Sequence, residues 1–167
     1  MKDTTIKEYL SMNRHHHNHH HAHSPEMAAR HHHDRDVFHA LLRQHDKITR
    51  SVEMLPNGIS ALTESDDPEI AALIREHAHE MHDRLREGFG LRHWDAAFTE
   101  IFAQADKVQM RISDTDKGVR IEEVSDDANV VLLIQAHGTV VTSFVEGGGA
   151  VASQESPLPE AYRRVAS

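Results

Sequence analysis

The chain has 167 residues, a formal charge of −9 with its 17 histidines neutral, and no cysteine, which fits one domain of about 100–150 residues with tails. The missing thiols exclude disulfides, iron–sulfur clusters and thiolate metal sites, so any metal must be held by imidazole, carboxylate or thioether. The acidic balance argues against nucleic acid as a partner, and no apolar run approaches the roughly 20 residues of a membrane span, so no membrane partner is expected either.

Residues 1–32 read as a tail that is disordered without metal, because it holds too little apolar surface to offset the entropy of ordering. Its opening, MKDTTIKEYLSMNR, has no secretory h-region, so the expected location is cytoplasmic. Ten histidines follow, the last of them just past the tail: His15, His16, His17, His19, His20, His21, His23, His31, His32 and His33. Such a tract offers many neutral imidazoles to Ni²⁺, Cu²⁺, Zn²⁺ or Co²⁺. A purification tag or low-complexity drift is the bland alternative, but Asn18 and Ala22 interrupt the run as a tag would not.

Residues 33–88 reappear sixty positions later as 93–148 with no gap. Phe38 matches Phe98, Gln44 Gln104, Gly58 Gly118, Ser65-Asp66-Asp67 Ser125-Asp126-Asp127, and His77 His137. This is a tandem duplication. It divides the domain into repeats of 33–92 and 93–149, followed by a loosely structured tail of 150–167.

In the first repeat, DRDVFHALLRQHDK is a short amphipathic helix with Phe38, Leu41, Leu42 and His45 on its stripe. ITRSVEMLPNGISALTES alternates about Pro56-Asn57-Gly58 and reads as a β-hairpin. Asp67 then caps a helix that starts at Pro68 and runs to about Glu87, with Gly88 as its C-cap. Ile70, Ile74, His77, Met81 and Leu85 form its apolar face, while His79 and His82 lie away from it. The second repeat follows the same plan through AAFTEIFAQADK, VQMRIS and GVRIEEV. Its long helix carries His137 within the stripe of Val130, Ile134, Val141 and Phe144. So apolar a helix is expected deep in the core, against its copy or a second subunit of a homo-oligomer. The expected fold is α+β: two αββα repeats about a pseudo-twofold axis, with a roughly four-stranded antiparallel sheet covered by helices.

His77 and His137 are the sharpest candidates for a metal or cofactor site, since both copies keep an imidazole on an apolar face. His45 would add a third imidazole, the set that leaves a coordination position open on zinc or copper, with Asp46 or Glu76 to orient the rings. Met81 and Met110 would suit Cu(I), although methionines at such positions are ordinarily core. The runs TESDD and EEVSDD look like paired carboxylates, but their place at helix starts explains them as caps. No nucleophile elbow, phosphate loop, H-E-x-x-H or dinucleotide fingerprint occurs. The expected function is transition-metal binding, for sequestration, storage or delivery. The alternatives are a non-covalent haem protein or small redox enzyme on the same histidine pair, and an interaction module in which both histidines are hydrogen-bonded core residues. A non-enzymatic role is preferred, with an enzyme left open.

With S-D-D-P before the first long helix and I-Q-A-H within the second, residues 33–159 resemble an uncharacterised family of small bacterial proteins with a tandem αββα repeat. The resemblance implies no activity and no site. The histidine tail departs from what that family would lead one to expect.

Overall fold

A computed structural model describes residues 24–88, 92 and 94–166. His15, His16, His17, His19, His20, His21 and His23 of the tail, and His93, lie outside the described residues. The chain divides into two units, Met1–His33 and Asp34–Ser167. In the first, Ser24 Oγ accepts the Met27 N–H at 3.1 Å, Pro25 takes the first helical position, and Glu26 stands in the first turn. That is a capped helix start. Helix α1 accordingly runs Pro25–Arg43, so residues 25–32, expected to be unstructured, are helical and carry His31 and His32.

The second unit continues through β1 (Thr49–Leu55), β2 (Gly58–Glu64), α2 (Pro68–Glu87), α3 (Ala96–Ala103), β3 (Gln109–Thr115), β4 (Gly118–Val124), α4 (Ala128–Gly147) and the short α5 (Gly149–Ala152). The fold is α+β, and its four strands form one antiparallel sheet in the order β1-β2-β4-β3. The register across its centre is reciprocal: Ala61 pairs with Ile121, its counterpart sixty positions on, while Gly58 pairs with Val124 and Glu64 with Gly118. A Cβ at Gly58 would overlap the carbonyl oxygen of Glu123, and one at Gly118 that of Thr63. Glycine at both places lets the two hairpins join.

The S-D-D runs explain themselves in the same reciprocal way. Ser65 donates its N–H to Lys117 at 2.9 Å and Ser125 to Asn57 at 3.0 Å, so each repeat holds the other's turn. Asp67 accepts from the Glu69 N–H at 2.9 Å, and Asp127 from Asn129 at 2.8 Å, capping the long helices. Each long helix then lies over the hairpin of the other copy. Ile70, Ile74 and Ala78 of α2 cluster with Val119, Ile112 and Ile121. Val130 and Ile134 of α4 cluster with Ile59 and Val52. Contrary to the expectation that no run approaches the length of a membrane span, α4 alone, among the described residues, is long and apolar enough to cross one. Here its apolar side chains pack on β1, β2 and α3. The copies differ at their entry helices, where α1 has 19 residues and α3 has eight.

The C-terminal segment is not the loose tail expected. Glu100 of α3, wholly buried, accepts the Tyr162 hydroxyl at 2.6 Å and the N–H groups of Val165 and Ala166 at 2.9 and 3.0 Å. Burial opposes its ionisation, but these donors and Arg164 outweigh burial and hold the carboxyl below its usual range. Nothing in the composition of residues 150–167 advertises this latch, because the acceptor lies sixty residues away. Glu100→Gln turns one acceptor into a donor facing donors. It should lower unfolding free energy in urea by about 2–3 kcal/mol, the scale of hydrogen bonds to a charged group, and speed hydrogen exchange at the Val165 and Ala166 amides.

Candidate functional site

Between the inner face of the sheet and the helices lies a cavity with two lobes of about 150 and 120 Å³. The lobes share a wall that includes His77, His137, Glu123, Met81 and Met110. The crossing of the helices brings the two histidines here: α2 and α4 each present an imidazole toward the space above the central strands. Each ring packs on a phenylalanine of its own repeat, His77 on Phe38 at 5.6 Å and His137 on Phe98 at 5.1 Å. Phe144 stands against both phenylalanines, at 6.1 and 6.3 Å.

Neither imidazole has a hydrogen bond among the described residues, and the Nδ1 of His77 is buried with no partner. Both rings are half-buried and line the cavity among mostly apolar side chains. Burial lowers both to a pKa of about 4, against an upward pull on His77 from Asp34 and on His137 from Asp95. On His137, Arg50, Arg92 and His77 add to the lowering. Both rings are therefore neutral at pH 7, each with one donor and one acceptor nitrogen.

Glu123, expected as part of a capping run in EEVSDD, is instead a strand residue and the third polar group on the shared wall, the cap being Asp127 alone. Burial raises its carboxyl to about 7, with Arg50 pulling it down. Arg50 acts on it from β1 through its charge while donating to Thr63 Oγ1 at 2.9 Å and Thr142 Oγ1 at 3.2 Å. A signal did exist in GVRIEEV, where Glu123 falls in phase with Val119 and Ile121 on the inward face. At the far end, Arg92 has a left-handed backbone, φ 62°, that turns its guanidinium over Trp94, Phe98 and Phe144 at 4.3, 4.9 and 5.0 Å. Asp95, wholly buried at the start of α3, pairs with it at 2.8 Å.

His45 stands apart from the pair. It is not on the stripe of α1 but in a 3₁₀ turn, His45–Lys47, and its Nδ1 lies 2.7 Å from the carbonyl of Val145, which accepts. The ring edge rests on Gly148. It borders the larger lobe, yet His45, His77 and His137 do not bring three ligand atoms within 4.8 Å, nor do His77, His137 and Glu123. His79 is an exposed partner of Asp114 at 3.0 Å. His31, His32 and His33 lie on the N-terminal half of α1.

The three perturbed groups fix a pH signature. Between pH 4.5 and 6.5 the unfolded chain binds a proton at each of the two histidines that the fold refuses, while the fold keeps one on Glu123 that the unfolded chain has lost. The unfolded state thus holds a net excess of one proton. Stability should rise with pH across that window by about 1.4 kcal/mol per unit, measured by urea unfolding at successive pH values. Glu123→Gln removes the opposing group and should about double the slope.

Compared with family models, curated proteins and solved structures, the chain matches none.

Proposed function

We propose that this is a transition-metal-binding protein, in which the histidine tail gathers ions and the paired imidazoles of His77 and His137 hold one in the domain. One observation carries the reading: two half-buried, neutral imidazoles on different helices face one cavity and make no hydrogen bond among the described residues, and the Nδ1 of His77 is buried without a partner. A core histidine with a structural role would be hydrogen-bonded, as nearly all buried polar groups are. Neutral imidazole is the form that ligates.

The remaining wall suits the same role. The Glu123 carboxylate completes a two-histidine, one-carboxylate set of the kind that takes zinc or iron, and the thioethers of Met81 and Met110 favour Cu(I). The side chains must close by a small shift, since the three ligand atoms are not within 4.8 Å of one another. The haem alternative fits less well. A cavity near 150 Å³ holds a guest the size of benzene, and a porphyrin would have to push the helices apart.

The test uses the full chain with all ten histidines between His15 and His33 changed to serine, titrated with Co²⁺ by its visible absorption and then competed with Zn²⁺. One ion per chain is expected. His77→Ala with His137→Ala should weaken it at least about 100-fold, beyond what disturbing a ligand's surroundings costs. An unchanged titration in the double variant would put the ion elsewhere and leave the imidazoles as core.

A further inference from the structure

The lobes enclose more space than an ion needs. Each is close to the volume that accepts one benzene ring in an apolar protein interior. The smaller lobe is walled by Phe38, Phe98 and Phe144, which meet one another edge-on and stacked, and such arrangements extend readily to one more ring. The sulfurs of Met81 and Met110 border it, and thioethers favour aromatic neighbours.

The cations around the cavity are already engaged. Arg92 is paired with Asp95, and Arg50 donates to Thr63, Thr142 and the carbonyl of Gly138. A charged guest would enter with no counter-ion of its own and carry the cost of leaving water. The open need is for hydrogen bonds, because His77, His137 and Glu123 have none among the described residues. A hydroxyl is both donor and acceptor, and an imidazole offers one of each.

We infer that the cavity binds a small uncharged aromatic alcohol of the phenol class, its ring among the three phenylalanines and its hydroxyl between the two imidazoles. This goes beyond ion binding and requires no ion.

The experiment is calorimetric titration of the full chain, treated with chelator, with phenol, toluene and benzoate at pH 7.5. Phenol should bind one per chain, about tenfold or more tighter than toluene, as two net hydrogen bonds near 1 kcal/mol each imply, with benzoate weakest. Val141 borders both lobes. Val141→Phe should fill that space and lower phenol affinity at least about tenfold, the volume of a ring being lost from a ring-sized cavity. If that variant fails to fold, His77→Phe serves instead, and it should erase the preference for phenol over toluene. Benzoate equal to or tighter than phenol, toluene equal to phenol, or no binding of phenol at all would each overturn the inference. Phenol binding without Co²⁺ uptake overturns the metal reading alone, and Co²⁺ uptake without phenol binding overturns this one alone.

Discussion

Each long helix buries its apolar face on the hairpin of the other repeat. Ile70, Ile74 and Ala78 need Val119 and Ile121, while Val130 and Ile134 need Ile59 and Val52. A single repeat would leave its own hairpin bare and its helix without a floor, so the core closes only when both are present. The contact is finely fitted. Gly138, at the place of Ala78, lies against Ile59, at the place of Val119, and a Cβ there would fall 2.7 Å from the Ile59 side chain. The larger strand residue faces the smaller helix residue in each half. From this exchange follows the cavity, because the helices approach the central strands from opposite repeats and each brings a histidine to the space between them.

The scaffold is reciprocal, but the lining is not. The cross-strand pair Arg50 and Thr63 in one hairpin corresponds to Met110 and Glu123 in the other. One cation and one acid thus stand on opposite halves of the floor, where the assembled domain lets their charges act on each other. Arg84 and Phe144 differ likewise. Arg84 is buried against Asp34 at 2.6 Å, whereas Phe144 turns its ring into the cavity. At this place one repeat therefore contributes an ion pair and the other an aromatic ring. Removing a partner from a buried pair such as Asp34 and Arg84 is far more costly than never having had one, so this asymmetry is locked into the core.

The parts set by short-range chemistry were legible in the sequence. Alternation gave β1 to β4, Asp67 and Asp127 gave the helix starts, and the sixty-residue offset pointed to His77 and His137. Features set by distant partners were not. The crossing of the helices, the Glu100 latch and the influence of Arg50 on Glu123 depend on partners far apart in the chain that no periodicity records. His45 was misjudged for the same reason: its spacing fitted the helical stripe, but the carbonyl of Val145, one hundred residues on, claims its Nδ1. The start of α1 failed differently. Polar composition suggested disorder through residue 32, while Ser24, Pro25 and Glu26 together formed a local helix start.

Stability alone does not account for the two imidazoles. A buried polar nitrogen without a partner, as the Nδ1 of His77 is, costs about 1–3 kcal/mol, a large fraction of the roughly 5–15 kcal/mol that holds a typical domain together. Leucine or phenylalanine at the same positions would fill part of the cavity, add apolar burial and remove that cost. Neighbouring positions on both helices have taken that course, with Met81 and Leu85 on one and Val141 and Phe144 on the other. That a histidine instead stands at both places, on a ring-packed wall facing the cavity, is the pattern of a site whose hydrogen-bonding or ligating capacity is reserved for something that enters it.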